Sequence, residues 1–139
     1  ILVKPHQLAV TLDFVSHFPN QRFIIDHLAK PHIREGRRQP WANHMAAIAG
    51  HQQVYCKLSG LVTEANLNSW KIADFDYYID HILQVFGSDR IVFGSDWPVC
   101  LLAGKYREVV GIMEHVAARL SPEQAERVWY QNASTFYKL

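Results

Sequence analysis

Residues 91–99 read Ile-Val-Phe-Gly-Ser-Asp-Trp-Pro-Val, and no other stretch of the chain says as much about chemistry. A strand-forming apolar run stops at Gly94, presents the carboxylate of Asp96 and is closed by Pro98. In a parallel α/β protein a polar residue at the carboxyl end of a strand sits where ligands and chemistry gather. Two earlier runs finish in the same manner. Phe23-Ile24-Ile25-Asp26-His27 ends in an imidazole, and Val54-Tyr55-Cys56-Lys57-Leu58-Ser59-Gly60 ends in an amine and a hydroxyl. An imidazole at a strand end can polarise a carbonyl or bind a divalent ion through one nitrogen. Lys57 and Ser59 share one face of their strand, while Cys56 and Leu58 share the other. With the apolar pair packed on helices, Lys57 points into a pocket, where its ammonium can neutralise an oxyanion.

Each of these residues also has a plainer reading. Asp96 can cap the helix that follows it. A lone strand-end histidine is more often a satisfied structural residue than a ligand. Lys57 and Lys30 can be structural cations paired with carboxylates. Trp70 and Trp97 can be ordinary core, although Trp97 sits beside Asp96 and can wall a pocket. Arg34, Arg37 and Arg38 sit in a loop after a strand, where solvation competes with contact to a substrate carboxylate. The other seven histidines fall in helical stretches or loops, and Cys56 and Cys100 read as inert.

The elements that position these groups alternate. Leu8, Leu12, Val15 and Phe18 form an apolar stripe, predicting a helix over residues 5–18. A strand over 23–27, a polar loop over 30–39 and a helix over 40–50 with Trp41, Met45 and Ile48 inward follow. Next come a strand over 54–59, a loop over 61–69 and a helix over 72–86 that stops at Gly87. The strand over 91–94 precedes a helix over 106–120, and Ser121-Pro-Glu-Gln124 is a capping-box pattern opening a last helical segment. Ile1-Leu-Val3 reads as the tail of a further strand. Strict alternation predicts an α/β chain with parallel strands and outer helices, in which ligands gather at the carboxyl ends of the strands.

At 139 residues the chain has one domain's length, and 49% hydrophobic residues suffice for a core. A net charge of +1 gives no field to attract nucleic acid, and no apolar run is long enough for a membrane span. Two cysteines make no disulfide framework, so a reduced, cytoplasmic setting is expected. No glycine-rich phosphate loop opens a helix, which disfavours the nucleotide-binding folds.

Ile-Asp-His27-Leu-Ala-Lys30-Pro31, Trp41 and Met45, Cys-Lys57-Leu-Ser59-Gly60, Phe-Gly94-Ser95-Asp96-Trp97-Pro98 and the closing Asn132-Ala-Ser-Thr-Phe136-Tyr137 together resemble the amidohydrolase superfamily. Within it they are most similar to the sugar-lactonase branch of fuconolactonases and rhamnonolactonases. The resemblance spans nearly the whole chain. It implies the C-terminal half of a (β/α)8 barrel, with Asp96 on the eighth strand, Lys57 and Ser59 on the seventh and His27 one strand earlier. A complete barrel takes ~250 residues. The family's opening His-x-His pair has no counterpart, since His6 is followed by Gln7 and Leu8.

By this likeness Asp96 and His27 are catalytic and potential ligands of a divalent metal such as Zn. Lys57, Ser59, Trp97, Trp70 and Lys30 are substrate-binding, and the substrate is a lactone opened by water. The isolated chain is expected to be inactive, its partner being either a missing N-terminal half or a second copy. The expected inner face of Phe23, Ile25 and Val92 would otherwise meet water. Two rivals stand beside this reading: a metal-dependent decarboxylase of an aromatic acid on the same scaffold, and an inactive half-barrel.

Overall fold

The structure is a computed structural model describing residues 1–139. Three parallel strands, β1 (Phe23–Ile25), β2 (Val54–Leu58) and β3 (Ile91–Phe93), form one sheet in chain order. β1 pairs with β2 with Ile25 opposite Cys56, and β2 pairs with β3 with Cys56 opposite Ile91. Ile1 extends the sheet past β1. Its ammonium donates to the Ile24 carbonyl at 2.6 Å, and its own carbonyl accepts from the Asp26 N–H at 2.9 Å. That is parallel-ladder pairing, as expected of residues 1–3.

The crossovers are helical, α1 (Leu8–Ser16), α2 (Trp41–Ala49) and α3 (Asp76–Phe86), and α4 (Tyr106–Ala117) follows β3. α5 (Pro122–Glu126) runs through a π-helical turn at Arg127–Gln131 into α6 (Asn132–Tyr137). The Ser121 capping box forms as its sequence predicts, with Ser121 Oγ accepting from the Gln124 N–H. No helix is long and apolar enough to cross a membrane.

Period-two alternation sorts the strand residues onto two faces. Phe23, Ile25, Val54, Cys56, Leu58 and Ile91 lie on one face. Five of them, all but Phe23, join Trp41, Met45 and Ile48 of α2, Ile79 and Ile82 of α3, and Ile112 and Met113 of α4 in one continuous buried core. Ile24, Asp26, Tyr55, Lys57, Ser59 and Val92 take the other face. This corrects the expected inner face. Phe23 and Ile25 belong to the helix side, where Ile25 is fully buried, and Val92, on the opposite face, is only 2% exposed.

The chain's own C-terminal helix covers part of that second face. Phe136 packs on Tyr55 with ring centroids 5.0 Å apart, Arg22 lies over Phe136, and the Arg22 guanidinium donates to the Thr135 carbonyl. The outer edge of β3 is also occupied. The amide of Asn132 donates to the Ile91 carbonyl at 2.8 Å and to the Ser88 carbonyl at 2.7 Å. Phe18 departs from its expected inward place because α1 ends at Ser16. It is 49% exposed and packs on Phe14.

Candidate active site

The polar residues that end the three strands converge. β1 stops at Ile25, and residues 27–30 then form a left-handed turn, with φ of 53° at His27, 52° at Leu28, 56° at Ala29 and 51° at Lys30. Four consecutive non-glycine residues in this region are costly, at roughly 1–2 kcal/mol each. The surroundings therefore have to impose the conformation. Leu28 and Ala29 are fully buried, the Lys30 N–H donates to the His27 carbonyl at 2.7 Å, and the Trp41 indole N–H donates to the Leu28 carbonyl at 2.7 Å. Sequence reading continued the strand to His27 and missed this turn.

The turn aims the His27 ring across the sheet. Nδ1 lies 2.8 Å from the Ser59 hydroxyl, just past the end of β2. Nε2 faces Oδ1 of Asp96, beyond the end of β3, at 3.7 Å. Both side chains are shielded, at 18% exposure for His27 and 12% for Asp96. Gly60 makes room for the ring. It holds φ +64°, and a Cβ there would lie 2.7 Å from His27 Nδ1 and 2.8 Å from Cγ.

Asp96 itself has φ 58°, and its backbone carbonyl accepts from the Cys100 N–H. Its carboxylate makes no capping bond to the short helix that follows. The helix-cap reading thus does not describe Asp96.

Two ion pairs flank the imidazole. Lys57 Nζ lies 2.6 Å from Asp26 Oδ1, and Lys30 Nζ lies 2.6 Å from Glu64 Oε1. Asp26 was not singled out from sequence. The signal was nonetheless present, since continuing the β1–β2 register places Asp26 beside Lys57. Burial pulls the Lys57 amine down, but the bond and charge of Asp26, together with Tyr137, outweigh it and leave the pKa raised. Burial dominates at His27. The charges of Asp96 and Asp26 pull its pKa up and those of Lys30 and Lys57 push it down, and the net result is below the ordinary value of 6.5. The imidazole is therefore mostly neutral at pH 7.

The remaining candidates separate. Ser59 and Lys57 belong to the cluster but are engaged by His27 and Asp26, and Lys30 is engaged by Glu64. Trp97 stands beside Asp96 with 64% of its surface exposed. Trp70 is not brought to the cluster. It packs on Phe75 and donates its indole N–H to the Ala103 carbonyl. Arg34, Arg37 and Arg38 are exposed, and Arg38 stacks 4.0 Å over the ring of Tyr77.

A divalent ion was also expected at His27 and Asp96. Catalytic zinc takes three protein ligands. His27 Nε2 and Asp96 supply two donors facing one space, and no group of three His, Cys, Asp or Glu side chains comes together to hold an ion. These residues fit part of such a site and do not complete one.

The parallel sheet with outer helices and polar side chains gathered at its strand ends is the architecture of part of a β/α barrel. The amidohydrolase family model matches residues 1–139, and the chain belongs to that family. It is 38% identical to an L-fucono-1,5-lactonase of Burkholderia ambifaria, over 99% of this chain and 49% of that protein. It is 36% identical to an L-fucono-1,5-lactonase of Burkholderia multivorans, over 100% of this chain and 50% of that one. A crystal structure of an amidohydrolase from Burkholderia multivorans with bound Zn superposes with a TM-score of 0.96 at 35% identity, covering all of this chain and 51% of that one. A 2,6-dihydroxybenzoate decarboxylase from Rhizobium shares the fold alone, with a TM-score of 0.57, 14% identity, and 96% of this chain and 40% of that one covered. The chain spans about half the length of the curated relatives it matches.

Proposed function

We propose that this chain forms the C-terminal half of an amidohydrolase barrel that opens a sugar lactone by attack of water on the carbonyl. One observation carries the reading: the Asp96 carboxylate, free of any capping role and shielded from solvent, faces the His27 imidazole beyond the carboxyl ends of two strands of one parallel sheet. In the proposed sequence Asp96 takes a proton from water as its oxygen bonds to the carbonyl carbon. The tetrahedral intermediate then expels the ring oxygen, which receives that proton and leaves as a hydroxyl.

Ser59 sets the tautomer of His27. When its hydroxyl donates to Nδ1, the ring proton sits on Nε2 and donates to the developing oxyanion. When Nδ1 donates to Ser59 instead, Nε2 would present a lone pair to a divalent ion, with Asp96 as the second donor facing the same space. A bound metal would supply Lewis-acid polarisation of the carbonyl. Lys57 is held charged by its ion pair with Asp26, and Trp97, exposed beside Asp96, forms an apolar wall for the sugar. A cytoplasmic setting is supported by two buried, unpaired cysteines, Cys56 and Cys100.

The sugar-lactone assignment is supported by the two L-fucono-1,5-lactonases. A decarboxylase would need an arginine gripping the aromatic carboxylate, and none lies in the His27–Asp96 cluster. The test is acid release from L-fucono-1,5-lactone by the chain alone, and by a hybrid joining it to the remaining half of the Burkholderia ambifaria relative. The account expects no turnover from the chain alone and turnover from the hybrid. A folded hybrid that leaves the lactone intact and decarboxylates 2,6-dihydroxybenzoate would favour the rival chemistry.

A further inference from the structure

The left-handed turn at residues 27–30 has little sequence reason to exist, since none of its residues is glycine, asparagine or aspartate and only His27 is of a type enriched in that region. What holds it is therefore part of how the site is built. Its central carbonyl, that of Leu28, lies in the core, where an unpaired acceptor is strongly disfavoured. The Trp41 indole N–H meets that carbonyl at 2.7 Å. Trp41 is itself immobilised. It is the first residue of α2, only 1% exposed, and its ring packs on Tyr78 and His81 with centroids 5.3 Å away in each case.

We infer that Trp41 is a positioning residue for His27, acting through the left-handed turn whose Leu28 carbonyl it holds. The inference rests on the reading of His27 as a site residue. The bond of Trp41 is to a backbone carbonyl of the turn, so its effect on the imidazole passes through the backbone. Lys30, at the far end of the turn, is held by Glu64 and completes the clamp.

The test reads the imidazole directly. In the 139-residue chain labelled with 15N-histidine, His27 is assigned by difference against His27→Gln. Its two ring nitrogens should show one fixed tautomer. Trp41→Phe removes the indole N–H and should move the His27 pair toward the averaged shifts of a free imidazole. His81, which stacks on Trp41, will also move, while the other six histidines stay in place. Should Trp41→Phe fail to fold, site-specific replacement by benzothienylalanine keeps the outline of the ring and removes only the donor.

In the hybrid barrel the same replacement should lower kcat roughly 10- to 100-fold with KM unchanged, as for a misaligned catalytic group. Unchanged His27 shifts in a folded Trp41 variant would overturn the inference. An inactive hybrid would count against the lactonase reading alone, because the nitrogen shifts need no turnover.

Discussion

Gly60→Ala is the substitution most sharply constrained by the geometry. A Cβ at this position would sit 2.7, 2.8 and 2.9 Å from Nδ1, Cγ and Cβ of His27. The His27 Cβ is fixed to the backbone of the left-handed turn, so the overlap cannot be relieved by a side-chain rotation alone. Holding alanine at φ +64° costs about 1 kcal/mol before any contact is considered. Overpacking against a fixed neighbour adds roughly 1–3 kcal/mol, and the total is about 2–4 kcal/mol. For a chain of this length that lowers the melting temperature by on the order of 10 °C.

A double-mutant cycle separates the two contributions. In a His27→Ala background the two ring contacts vanish and only the contact to Cβ survives. Gly60→Ala should then cost about 1 kcal/mol less than in the wild-type chain. The assay is urea unfolding of all four proteins followed by tryptophan fluorescence. Equal costs in both backgrounds would refute the claim that Gly60 exists to seat the imidazole.

Replacing Lys57 with Met leaves the half-buried Asp26 carboxylate without its cation, and unfolding free energy should fall by about 1–3 kcal/mol; an unchanged denaturation midpoint would mean the pair is solvated. Because folded His27 titrates below 6.5, the unfolded chain binds that proton more readily. The stability His27 confers is therefore full above pH 6.5, falls as the pH drops toward the folded value, and levels off below it. Wild type minus His27→Gln should show this slope, and a difference that grows on acidification would reverse the sign. Asn132→Ala strands the carbonyls of Ser88 and Ile91 at the edge of β3 and should cost about 1–3 kcal/mol in thermal unfolding; a loss near zero would show that water replaces the amide.

Strand order, helical crossovers and the convergence of His27, Ser59 and Asp96 could be read from the sequence because each follows from local periodicity. Val54-Tyr55-Cys56-Lys57-Leu58 alternates, so its polar face is legible in the sequence. The left-handed turn was not, because propensity reserves that conformation for glycine and its like, and here a tertiary bond from Trp41 imposes it. Asp26 was overlooked because its significance lies in the register of the neighbouring strand. The sheet faces were misassigned for Phe23 and Ile25, since a three-residue strand buried among helices carries no alternation to reveal its sides. Trp70 was offered both as core and as a substrate contact, because a tryptophan near a functional loop resembles one that merely supports it. Nothing in its spacing pointed to the Ala103 carbonyl.

In the proposed reaction Asp96, facing His27, moves the proton in lactone opening. The direct measurement is acid release from L-fucono-1,5-lactone by the hybrid barrel carrying Asp96 or Asp96→Asn, with folding of both checked by circular dichroism. The account predicts a rate reduced by about 10²–10⁴-fold in the Asn variant. A folded Asp96→Asn hybrid that retains the full rate would contradict it.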